Sequence, residues 1–166
     1  MSAAGNPLFE ELLAIHGLIR ADLAKVELLA EDCAGGAAPE ELRARIAELK
    51  SSSLLWQLKL GCLRHCRFVE AHHGLEDRAI FPVIRRVDPG LEPVVDKLES
   101  DHRAVAELVH ELEAAAAALE GADDPDAARE RVVAALTGLG ALLLEHLDYE
   151  ERSLEGVLGR MESWYG

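Results

Sequence analysis

Apolar residues recur along this chain in steps of three and four, and they do so in four separate stretches. The first carries Leu8, Leu12, Ile15, Ile19, Leu23 and Val26. A step of three or four keeps side chains on one face of a helix, whereas a strand would alternate them every second residue. Asn6-Pro7 reads as an N-cap followed by proline at the first helical position, and Cys33-Ala-Gly-Gly-Ala-Ala-Pro39 closes the stretch. The second helix is expected to begin near Pro39, loosen at Ser51-Ser52-Ser53 and run towards Arg86, with Leu54, Leu58, Phe68, Val69, Ala79 and Val83 inward. Pro82, lacking an N–H, is expected to kink its last turn, and Asp88-Pro89-Gly90 to stop it. The third helix spans roughly Leu91 to Glu120 and presents Val95, Leu98, Val105, Val109 and Leu112. The fourth follows Gly121-Ala-Asp-Asp-Pro125, with Asp124 as cap, and carries Val132, Leu136, Leu139, Leu143 and Leu147 to about Gly159. Two of the three connections are short, which makes neighbouring helices antiparallel. The expected fold is all-α, an up-down-up-down antiparallel four-helix bundle, in one domain over residues 1–166.

Seven histidines must be placed on these stripes. His16 follows Leu12 by four, His72 follows Phe68 by four, His102 lies between Leu98 and Val105, and His146 lies between Leu143 and Tyr149. Each helix therefore contributes one histidine to its own inward face. At 1.5 Å of rise per residue, all four fall roughly 15–20 Å from the same end of the bundle, so they converge in one layer. Glu76 follows His72 by four, and Glu150 follows His146 by four, which stacks a carboxylate on each of two imidazoles. A single inward histidine is ordinarily a satisfied core residue. Four in one layer, with two inward glutamates and no lysine or arginine at helical spacing on that face, are another matter. A buried carboxylate without a partner costs several kcal/mol, and a metal ion answers that cost in one step. Imidazole with carboxylate suits iron, zinc, copper or manganese rather than calcium or magnesium.

The order His16, then His72-x-x-x-Glu76, then His102, then His146-x-x-x-Glu150 resembles the hemerythrin family, in its HHE cation-binding branch. The stretch His72-His-Gly-Leu-Glu-Asp-Arg-Ala-Ile-Phe-Pro82 looks like that branch's second-helix signature, and Ser100-Asp-His102 like its third-helix start. The resemblance implies a non-haem di-iron centre, two iron ions with an oxo or hydroxo bridge. In it Glu76 and Glu150 are the bridging carboxylates and the four histidines terminal ligands. It also implies binding of, or reaction with, oxygen, hydrogen peroxide or nitric oxide. Where oxygen carriers of the family have a second third-helix histidine, this chain has Ala106, and its fourth-helix motif is one residue shorter than their His-x-x-x-x-Asp. Water, an exogenous ligand or His73 would fill the vacancy; in iron-sensing F-box relatives the position matching His73 is a metal-binding glutamate. A peroxide-consuming activity and an iron- or oxygen-responsive sensor without turnover both fit such a centre, and no catalytic acid or base is identifiable beside it.

A ferritin-like scheme, with Glu70-x-x-His73, Glu99-x-x-His102 and Glu107-x-x-His110, leaves His16 and His146 without a role. His65 and His110 read as packing or boundary residues, Trp56 and Phe68 as core, and Cys62 with Cys66 as either buried thiols or a redox pair. The formal charge of −14 opposes phosphate backbones and anionic lipid, so neither nucleic acid nor membrane is an expected partner, and a protein partner is not specified. The start of the chain lacks a basic segment followed by an apolar one, and apolar runs such as Leu139 to Leu144 are short, so a cytoplasmic location is expected.

Overall fold

The computed structural model of the chain describes residues 6–34, 54–119 and 121–164, the side chains of 29, 32–34 and 54–60 excepted. No strand occurs among the described residues, and four long helical rods are consistent with a four-helix bundle. Helix α1 spans Pro7–Ala34. Helix α2 spans Leu54–Leu75 and passes through a π-helical turn, Glu76–Ile80, into α3, Phe81–Val87. One 3-10 turn at Pro89–Leu91 then leads into α4, Glu92–Ala117, and the last helix, α5, spans Pro125–Leu158. α1 packs on α2 and α5, and α4 packs on the same two, so each rod has two principal neighbours. The expected start near Pro39, the loosening at Ser51–Ser53, and Leu54, Trp56 and Leu58 as inward side chains fall outside the described residues.

The helix starts follow their local chemistry. Asn6 Oδ1 accepts from the Phe9 N–H at 3.1 Å, ahead of Pro7. Asp124 Oδ1 accepts from the N–H groups of Asp126 and Ala127, each at 3.1 Å, ahead of Pro125. Side-chain oxygens thus satisfy donors that have no partner inside the helix. Gly121, before the last helix, has φ +69, a conformation glycine adopts without steric cost.

Ahead of Pro82 the helix widens, where the Phe81 N–H bonds to the Glu76 carbonyl five residues back. A proline ring clashes with the carbonyl four residues before it and offers no N–H, and a wider turn upstream relieves both problems. The extra residue shifts the apolar stripe. Ala79, expected inward, is half-buried, whereas Val83 is buried as expected, and Ile80, Phe81 and Ile84 are buried with it.

The core is two clusters, not one. The larger joins Ile19, Leu23 and Val26 of α1 to Cys62, Cys66 and Val69 of α2, Val105, Val109 and Leu112 of α4, and Leu136, Leu139, Leu143 and Leu147 of α5. The smaller joins Leu8 and Leu12 to Phe81, Ile84, Val95, Leu98, Leu154 and Leu158. On every rod the inward histidine falls between a residue of one cluster and a residue of the other, so a polar layer separates them. Helix α5 is long and apolar enough to cross a membrane by length and composition alone. Here its leucine stripe lies against α1 and α4 in the larger cluster.

Candidate metal centre

Seven polar side chains fill the layer between the clusters, and all are buried: His16, His72, His73, Glu76, His102, His146 and Glu150. They are the seven residues picked out by the sequence. They separate into two groups whose ligand-type atoms lie within 4.8 Å of one another, His73 with His102 and His146, and His16 with His72, Glu76 and Glu150. His16 Nε2 lies 3.1 Å from His72 Nε2, and His102 Nε2 lies 3.1 Å from His146 Nε2. Each glutamate reaches both groups. Glu76 sets Oε1 3.1 Å from His72 Nε2 and Oε2 3.3 Å from His102 Nε2. Glu150 Oε2 is 3.4 Å from His16 Nε2 and 3.6 Å from His146 Nε2.

Outer carboxylates decide which ring nitrogen faces the centre. His16 Nδ1 donates to Glu151 Oε1 at 2.9 Å, His102 Nδ1 to Asp77 Oδ1 at 2.7 Å, and His146 Nδ1 to Asp101 Oδ2 at 3.4 Å. Those carboxylates are anchored in turn, Glu151 by Arg20 at 2.6 Å and Asp101 by Lys97 at 2.6 Å. With its proton assigned to Nδ1 by these partners, each of the three rings presents an Nε2 lone pair inward. At His102 and His146 two such lone pairs face each other.

Burial disfavours the charged form of His72, His73 and His146. It lowers His72 and His146 to about 4, against a partial counter-effect from Glu150, and it lowers His73 further, helped by His102 and His146. Burial and the neighbouring Glu150 carboxylate push Glu76 well above the usual carboxylate range. Burial works in the same direction on Glu150, but the His16 hydrogen bond and the nearby imidazoles overrule it and hold Glu150 down at about 2. His73 Nε2, both oxygens of Glu76 and Glu150 Oε2 are buried without a hydrogen-bond partner. Each orphaned buried group costs about 1–3 kcal/mol, and once Glu76 gives up the proton it shares with Glu150 these are all electron-pair donors in one layer. A cation is the group that such a donor set fits.

His73 sits where the sequence left a choice. Its ring stacks on His102 with centroids 3.9 Å apart, and it meets His146 edge-on at 5.0 Å. The adjacent positions 72 and 73 both point inward, one towards each group. Ala106 borders the same space as His73 and brings no donor.

The ferritin-like carboxylates lie elsewhere. Glu70 and Glu107 are exposed, and Glu99 is held by Arg85 at 2.7 Å. His65 is fully buried as a packing residue, 3.4 Å from Asp22, whereas His110 is 71% exposed and belongs to the surface, not to the packing. Phe68 packs against the larger cluster. Cys62 and Cys66 are buried in that cluster, and burial pushes the Cys66 thiol up to about 12, which disfavours its thiolate near neutral pH.

The outer carboxylates Asp77, Asp101 and Glu151 were not singled out by the sequence. Their only signal is position, each being the chain neighbour of an inward ligand-type residue. Replacing Asp77 with alanine is expected to weaken metal binding about 10- to 100-fold, because His102 loses the partner that fixes its tautomer. Chelator competition measures this, and an affinity within about twofold of the parent chain would remove Asp77 from the site's support.

Residues 8–158 match the family model described as the hemerythrin HHE cation binding domain. No curated protein and no solved structure matches the chain.

Proposed function

The chain belongs to the hemerythrin HHE cation-binding family, and from that premise we propose that it is a non-haem di-iron protein that binds or reacts with oxygen, hydrogen peroxide or nitric oxide. The domain is residues 1–166, an up-down-up-down antiparallel bundle. In support, Asn6 Nδ2 at the start of α1 donates to the Glu155 carbonyl near the end of α5. His73, His102 and His146 would hold one ion and His16 and His72 the other, with Glu76 and Glu150 in reach of both groups.

One observation carries this reading. His102 and His146 turn Nε2 on each other at 3.1 Å while carboxylates lie against both Nδ1 atoms. Two lone pairs at that distance repel unless a proton or a metal cation lies between them. When bound, an iron pair supplies one-electron redox steps and an open position for a small ligand. The chain's own part is to orient the donors through Asp77, Asp101 and Glu151, and to flank their layer with the apolar clusters that hold Leu12, Ile19, Phe81 and Leu143. Neither nucleic acid nor membrane is a partner in this reading, and the location is cytoplasmic.

A sensor without turnover is the second reading, favoured because every rod contributes a histidine to the layer, so metal occupancy bears on how all four pack. Metal analysis with optical titration separates the outcomes. About two irons per chain, with charge-transfer bands that move on adding oxygen, peroxide or nitric oxide, is the expected result; under about half an equivalent would end the metal reading. Bands that respond to none of the three ligands would end the ligand reading alone.

A further inference from the structure

Beside the buried layer, between α2 and α4, lies a cavity of about 280 Å³. A water molecule takes about 30 Å³ in the liquid, so this space is many times what a diatomic molecule or hydrogen peroxide fills. It lies near the lower end of the volumes that hold organic ligands. Part of its room comes from Ala106, which lines one wall with a single methyl group, whereas the space beside Gly74 on the other wall is taken by the Arg78 guanidinium. Val69, Val105 and Val109 supply apolar walls. At the inner end stand His73 and His102, and His73 is 5% exposed with an Nε2 that has no hydrogen-bond partner. The rim mixes signs, Glu70 and Asp77 against Arg103. A rim of that kind, on a chain of net charge −14, favours an uncharged ligand over an anion.

We propose that this cavity binds a short-chain alkyl hydroperoxide, with the alkyl group against Val69, Val105 and Val109 and the hydroperoxide head turned to the His73–His102 end. The apolar walls match a short alkyl group, and the head group faces the end where His73 and His102 stand. The choice of hydroperoxide rests on the reading of the centre as one that meets peroxide. The capacity to bind a small alkyl molecule rests on the cavity alone.

The test separates the two. Full-length protein loaded with redox-inert zinc is titrated with tert-butyl alcohol, an unreactive analogue of tert-butyl hydroperoxide, and valine methyl signals are followed by NMR. Saturable shifts at Val69, Val105 and Val109 are expected. Ala106→Leu, which fills the cavity, weakens the binding at least about tenfold, with butyrate binding more weakly than the alcohol to the parent chain. No saturable shift in the parent chain, or shifts spread over the surface, overturns the site whether or not the leucine variant folds. A second arm follows oxidation of the reduced iron protein, in which each hydroperoxide takes two electrons from the iron pair and two protons from solvent to give alcohol and water. Ala106→Leu slows oxidation by tert-butyl hydroperoxide about tenfold more than it slows oxidation by hydrogen peroxide, and an equal effect on both overturns the alkyl selectivity. Alcohol binding without oxidation by either peroxide keeps the cavity as a site and overturns the hydroperoxide assignment, together with the peroxide part of the proposed function.

Discussion

Replacing Glu76 with glutamine is expected to take bound iron from about two ions per chain to below half of one, while the bundle still folds. Glu76 is fully buried and is the side chain that sets one oxygen against each histidine group, at 3.1 Å from His72 and 3.3 Å from His102. Its loss therefore affects both ions, whereas an alanine at His16 removes a donor from one group only. Glutamine keeps the volume, so no cavity opens between the two apolar clusters. Its amide adds a donor where the carboxylate had only acceptors, and that N–H satisfies an imidazole lone pair that would otherwise face a cation. The variant thus trades metal affinity for a better-satisfied metal-free layer. Elemental analysis and a thermal melt of the same sample check both halves. A variant that keeps close to two ions per chain would show that Glu76 does not span the pair.

The parts of this centre visible in the sequence are those that depend on one helix at a time. Each inward histidine sits on a leucine or valine stripe, and each glutamate follows its histidine by one turn, so helical spacing alone finds His16, His72, Glu76, His102, His146 and Glu150. His73 is harder, because it stands about 100° around the helix from His72 and off the stripe. Only packing against α4 and α5 shows that both neighbours can be buried. The outer carboxylates are harder still. Asp77 on the π-helical turn meets His102 on α4, Glu151 on α5 meets His16 on α1, and Asp101 on α4 meets His146 on α5. Those pairings join residues 25, 135 and 45 positions apart, which no local spacing reports. The π-helical turn is of the same kind. Pro82 announces a disturbance, but where the chain absorbs it depends on which carbonyl can move, and that is decided by the packing of Glu76, Ile80 and Phe81.

Stripping the metal at pH 7.5 is expected to lower the melting temperature by about 10 °C or more, since a ligand a thousandfold above its dissociation constant stabilises by about 4 kcal/mol and each kcal/mol moves a domain of this size by about 2–4 °C. The metal-free chain is also expected to weaken as the solution is acidified, and the sign follows from the histidines. Burial lowers His72 and His146 to about 4 in the folded protein. In the unfolded chain a histidine titrates near 6.5, so below that value the unfolded chain takes up protons that the folded one refuses. Stability is therefore lost as pH falls from about 6.5 to about 4, at about 1.4 kcal/mol per pH unit for each histidine. Glu76 acts in the opposite sense. Burial and Glu150 raise it, so the folded protein holds a proton that an unfolded glutamate has released, and its contribution is lost as pH rises through the raised value. Acid strains the imidazoles and alkali strains the carboxyl, leaving the metal-free layer without a pH that suits every group. A cation reverses this above neutrality, because it needs neutral imidazoles and an ionised Glu76 together. The gap in melting temperature between loaded and stripped protein should therefore widen from pH 5 to pH 7.5. Calorimetry at the two values measures it, and equal melting temperatures at pH 7.5 would mean that no cation completes this layer.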